Sequence, residues 1–181
     1  MTRILAITPG DGRDLSPWID ALDVDAILFR EPGASVAHWV DRARERGLAT
    51  HVHSRCADRP TADFMHLRAD EPPVDRPFGV SCHDETELAL AFGRGASYAL
   101  LSPVFPPTSK PDDRRPTLGR RGFATLAGEQ PVYALGGLCA ETAFACYGLA
   151  VLGWFFEVSP AEAALRSETL RRRLATLDQK A

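Results

Sequence analysis

The sequence predicts an α/β fold whose parallel strands close into a compact (β/α)8 TIM barrel. Eight short apolar runs recur along the chain, at 4–7, 26–29, 49–53, 64–67, 78–81, 98–101, 132–135 and 149–152. Uninterrupted apolar runs of this length suit strands buried on both faces, as in parallel sheets. Between several of them lie amphipathic helical patterns, and strands alternating with helices make a parallel sheet. Eight is the strand number at which such a sheet closes; an open doubly wound sheet is the competing arrangement. The third observation is length. With 181 residues the chain is one domain, 1–181, yet it falls short of the roughly 200 to 250 residues usual for this barrel. The shortfall lies in 56–63 and 69–77, below the roughly 10 to 12 residues of a helical crossover. The second of these holds Pro72, Pro73 and Pro77, which oppose a regular helix. The crossovers after strands three and four are therefore expected to be shortened or non-helical.

The helices follow from caps and periodicity. Residues 35–46 start at Ser35 as a cap, place Val36, Val40 and Ala43 on one face and stop before Gly47. Asp84 caps the next, with Glu87 at capping-box spacing and Leu88, Ala91 and Phe92 as the apolar face. Ser159-Pro160 opens the last helix, with Leu165, Leu170, Leu174 and Leu177 directed to the core. The apolar stretch 149–156 reads as one buried strand.

Composition narrows the function. Lys and Arg number 21 against 24 Asp and Glu, a net charge of −3, without the concentrated basic face that nucleic acid or a membrane surface requires. No apolar stretch approaches the roughly 18 to 20 residues of a membrane span, and the first run is too short for a secretory signal. The protein is read as cytoplasmic. Cys56, Cys82, Cys139 and Cys146 form no C-x-x-C pair and are read as free thiols. A homo-oligomer is left open.

In a barrel of this kind the active site lies at the C-terminal strand ends. The polar residues that follow the runs include Arg30, Glu31, His53, Ser54, Arg55, Arg68, Asp70, Glu71, Ser81, His83, Ser109, Lys110, Gly136 and Gly137. Cations, hydroxyls and glycine are the equipment for phosphate, because Arg binds its oxygens bidentately and glycine lets backbone N–H groups approach. His66, between apolar neighbours, reads as a core histidine.

In order, these segments resemble the thiamine phosphate synthase/TenI family. Residues 78–84 (FGVSCHD) look like its G-V-S-x-H element, 98–106 (YALLSPVFP) its D-Y-I-x-x-G-P-V-F-P element and 108–111 its T-K-P loop. Residues 132–138 (VYALGGL) match V-x-A-I-G-G-I, and 28–31 are a weaker match to Q-L-R-E. The resemblance implies a (β/α)8 barrel that binds a thiazole phosphate. In the synthase branch it implies an aminopyrimidine diphosphate and Mg²⁺ as well. In the TenI branch a histidine at the position of His83 moves a proton, a task suited to a group titrating near neutrality. The retained phosphate and substrate candidates are Arg30, Arg55, Ser81, Ser109, Lys110, Gly136 and Gly137.

The departures concern the metal. Where the synthase pattern reads N-D-R after strand three, with its Asp a ligand, this chain has His53-Ser54-Arg55. Glu71, with Asp70 beside it, aligns with the second acidic ligand. The resulting expectation is a TenI-like protein that binds a thiazole phosphate and tautomerises it through His83, without a cofactor. The alternative is a divergent synthase using Mg²⁺ at Glu71 and Asp70. A third reading is a non-catalytic phosphate-ligand or regulatory barrel.

Overall fold

The computed structural model describes residues 1–58, 60–106 and 115–180. Eight parallel strands, β1 (Arg3–Ile7), β2 (Ala26–Phe29), β3 (Ala49–His53), β4 (Phe64–Leu67), β5 (Phe78–Cys82), β6 (Tyr98–Leu101), β7 (Val132–Leu135) and β8 (Gly148–Val151), pair in sequence order, and β8 returns to β1. The doubly wound alternative is thereby excluded. Helices α1 (Ser16–Ala21), α2 (Ala37–Glu45), α3 (Glu85–Gly93), α4 (Gly119–Ala127), α5 (Gly153–Phe156) and α6 (Pro160–Asp178) lie outside the strands.

Alternation along each strand divides the core in two. Outward residues such as Ile4, Ile27, Val52, Met65 and Leu101 pack with the helices. Inward residues such as Leu5, Leu28, Tyr98, Leu100, Tyr133 and Ala150 fill the barrel. The interior is polar on one side, where buried His51 and His66 stand beside Tyr98 and His53 beside His66. Gly79 on β5 leaves room for the Tyr98 ring, which any Cβ there would meet.

The connections β3–β4 and β4–β5 contain no helix among their described residues, as the proline content and length of those intervals predict. A third connection, β7–β8, is also without helix. There an irregular stretch buries Ala143 and Phe144, and Phe144 packs edge-on against Phe123 at 5.5 Å between centroids. Aromatic packing takes over the covering role of a helix face.

Local expectations are corrected at three places. Ser35 does not cap α2; its hydroxyl reaches Asp58, whose Oδ1 accepts the Val36 N–H at 2.9 Å. The run at 149–156 is not one strand, because β8 ends at Val151 and Gly153–Phe156 turns into α5. Leu165 is 59% exposed, since the buried stripe of α6 runs through Ala163, Ser167, Leu170 and Leu174. Asp84 does cap α3, accepting from the Glu87 N–H at 2.8 Å. The reciprocal Glu87 bond goes to the His83 N–H at 2.7 Å, which fixes the backbone of the candidate catalytic histidine.

Candidate active site

The strand C-termini open into a cavity of about 950 Å³. Its lining includes Arg30, His53, Arg55, Arg68, Asp70, Ser81, His83, Gly136 and Gly137 among the residues singled out from sequence, together with Arg13 and Arg115. Ser109 and Lys110 lie outside the described residues. Glu71 is not among the lining residues.

Arg30 is positioned from both sides of its strand end. Its backbone N–H bonds the buried Thr8 hydroxyl at 2.8 Å, and its Nη2 donates to the Pro9 carbonyl at 3.2 Å. The adjacent Glu31 is 1% exposed and is committed to structure, accepting from the N–H groups of Gly10 and Gly12 at 3.0 and 3.3 Å. Burial lowers the Arg30 pKa from its usual value, Glu31 opposes that effect, and nearby Arg55 adds to it by repulsion.

His53 takes the lone pair of Nδ1 into the chain, accepting from the Arg55 N–H at 3.1 Å. Its proton is thereby assigned to Nε2. Burial pulls its pKa down to about 4, and the charges of Arg55, Arg30 and Arg68 contribute in the same direction against Glu71. At neutral pH the ring is an uncharged donor among guanidinium groups.

Behind it runs a buried chain. Tyr98 Oη lies 2.9 Å from His66 Nδ1, and His66 Nε2 lies 2.8 Å from Ser81 Oγ. Among the described residues the Tyr98 hydroxyl has no other acceptor, so it donates to Nδ1. Nε2–H then donates to Ser81, whose own proton is turned outward. Burial holds His66 neutral, its pKa well below the usual value. Ser81 is thus a hydrogen-bond donor to whatever oxygen enters the cavity. His66 was expected in the core and is found there, but its link to Ser81 crosses between strands and leaves no signal in the sequence.

His83 Nδ1 donates to the Ser102 carbonyl at 2.8 Å, leaving Nε2 as the basic nitrogen. The Arg115 Nη1 lies over the ring, 3.0 Å from Nδ1 and 3.3 Å from Nε2. On the β7 side Gly136 and Gly137 have φ of +106° and +60°. A Cβ on Gly137 would fall 2.6 Å from the Pro106 carbonyl oxygen, so this turn is reserved for glycine and leaves backbone facing the cavity. Beyond β8, at the end of α5, Glu157 places a carboxylate beside Gly153 in the cavity lining.

The residues aligned with metal ligands are occupied otherwise. Glu71 Oε2 accepts from Ser54 Oγ at 2.7 Å and from the Arg68 N–H at 2.6 Å. Burial raises the Glu71 pKa, but the Arg68 amide and the Ser54 hydroxyl outweigh it and leave the carboxyl below its usual value. Asp70 pairs with the Arg68 guanidinium. Among the described residues no three His, Cys, Asp or Glu side chains converge as a cation site. This donor set does not fit Mg²⁺, which is held through carboxylates and substrate phosphates.

A closed parallel barrel with an arginine-rich cavity at its C-terminal rim is a scaffold of the kind on which small-molecule sites are built. Residues 62–153 match the profile of the thiamine monophosphate synthase family. A thiamine-phosphate synthase of Chromobacterium violaceum is 32% identical, over 91% of this chain and 93% of that one. A second, from Mycolicibacterium vanbaalenii, is 30% identical over 71% and 72%. Among solved structures, a thiamine phosphate pyrophosphorylase from Pyrococcus furiosus superposes with a TM-score of 0.74 at 20% identity, covering 97% and 96% of the chains. The chain belongs to the thiamine monophosphate synthase family. No helix among the described residues is long and apolar enough to cross a membrane.

Proposed function

We propose that this protein is a divergent thiamine phosphate synthase, joining an aminopyrimidine diphosphate to a thiazole phosphate. The observation behind this reading is the number of guanidinium groups around one cavity. Arg30, Arg55 and Arg68 gather at the ends of β2 to β4, on the side away from the double glycine. One phosphate does not require so many cations, whereas a diphosphate leaving group beside a second phosphorylated substrate does. A cavity of about 950 Å³ lies at the upper end of the usual range for small-molecule sites.

In this reading the C–O bond between the pyrimidine methylene and diphosphate breaks, and its electron pair leaves on the diphosphate. The thiazole nitrogen lone pair then forms the new C–N bond. Arg30, Arg55, Arg68 and Ser81 hold the departing oxygens by charge and hydrogen bonds. The Gly136-Gly137 turn receives the thiazole phosphate. Glu157 faces the positive charge that stays on the thiazolium product. The names of the relatives also favour the synthase over the tautomerase reading.

Tautomerisation by His83 has one observation in its favour, the basic Nε2 left by the bond from Nδ1 to Ser102. Arg115 against this ring, 3.0 Å from Nδ1 and 3.3 Å from Nε2, suits anion binding better than proton transfer. Incubation with both substrates is the test. Thiamine phosphate and diphosphate should appear in equal amounts. Interconversion of thiazole tautomers, abolished by His83→Ala, with no thiamine phosphate formed, would establish the tautomerase instead. Binding without either conversion would leave a ligand-binding barrel.

A further inference from the structure

The residues that align with a metal site leave a specific disagreement with a cation-assisted reaction. Ser54 stands where a carboxylate is expected and donates its proton to Glu71 at 2.7 Å. Glu71 in turn fastens the turn after β4 through the Arg68 N–H. Breaking those bonds would release a buried hydroxyl and leave one carboxylate, which is a poor basis for cation binding.

What the same strand ends provide is positive charge. Arg30, Arg55 and Arg68 all line the cavity around His53. Arg30 and Arg55 repel one another, and the Arg55 side chain has no hydrogen bond or ion pair with the described residues. Among the described residues the ion-pair partner of Arg68 is the solvent-exposed Asp70, and exposed pairs of this kind exchange readily. Three guanidinium groups around one cavity, with Glu31 beside Arg30 and Asp70 on Arg68 as counter-charges, still favour a polyanion, and arginine forks grip phosphate oxygens bidentately.

We propose that Arg30, Arg55 and Arg68, with the Ser81 hydroxyl, hold the diphosphate in this protein without a divalent cation. The guanidinium groups neutralise and orient the leaving group, the two tasks a bound metal otherwise performs. This inference rests on the reading that a diphosphate-bearing substrate enters the cavity.

Calorimetric titration of the full chain with inorganic diphosphate separates the two. Binding in EDTA should match binding in Mg²⁺ within about twofold. Arg55→Ala and Arg68→Ala should each weaken it about tenfold or more, and Glu71→Gln should leave its Mg²⁺ dependence unchanged. Unaltered thermal midpoints would show that the arginine variants fold. Binding that requires Mg²⁺ and is lost in Glu71→Gln would overturn the inference while keeping the diphosphate reading. Absence of binding under both conditions would overturn both.

Discussion

His51 on β3 stacks on Phe64 at 4.7 Å between centroids, yet its Nδ1 finds no hydrogen-bond partner among the described residues. Burial brings His51 and His53 to a pKa of about 4 and His66 well below the usual value. The unfolded histidine titrates near 6.5, so between about pH 6.5 and 4 the unfolded chain binds protons that the native one refuses. Stability conferred by the neutral rings is complete above about pH 6.5 and falls with acidification towards pH 4. For His51 alone the linkage is about 3 kcal/mol across that window. Urea unfolding at pH 7, 6 and 5 should show this decline, and His51→Phe should make it shallower, with His53 and His66 supplying the remainder. An unchanged profile in that variant would remove His51 from the account. Tyr98→Phe tests the buried chain behind Ser81. Loss of the hydroxyl that polarises His66 should cost about 1 to 2 kcal/mol and weaken diphosphate binding several-fold. A stability loss with binding intact would reduce Tyr98 to a packing residue.

At the level of elements, the strands were legible because strands buried on both faces need uninterrupted apolar runs. The bare returns after β3 and β4 were legible in their length and prolines. Three details were not, each for a physical reason. The α2 terminus is completed by Asp58 from the next connection, a partner no local pattern reveals. Leu165 lies off a buried stripe shared by a serine and an alanine, so apolar identity misled. The third bare crossover is sealed by Phe144 against Phe123, a contact across distant segments. Two substitutions test this layer. Asp84→Ala should cost about 1 kcal/mol through loss of the α3 cap, measured by denaturation. Gly137→Ala should cost about 1 to 3 kcal/mol, because φ is +60° and the added Cβ meets the Pro106 carbonyl. The same variant should weaken thiazole phosphate binding. Gly137→Ala with full stability and affinity would mean that the turn relaxes freely.

Over the whole molecule, the candidate site was legible where function follows a strand end along the chain. Arg30, Arg55, Ser81, His83 and the double glycine all reach one cavity. The donor chain from Tyr98 to Ser81, the Arg115–His83 contact and the capture of Glu71 by Ser54 join separate strands, and only the fold brings them together. That capture takes Glu71 out of the cavity lining, where Arg30, Arg55 and Arg68 stand. The central claim is that diphosphate and thiazole phosphate occupy opposite sides of this single cavity. A crystal structure with inorganic diphosphate and thiazole phosphate, grown in EDTA, tests it most directly. Diphosphate is expected on Arg30, Arg55, Arg68 and Ser81, with the thiazole phosphate on the Gly136-Gly137 turn. Diphosphate bound elsewhere, or a single phosphate group spanning the arginines with the glycine turn empty, would contradict it.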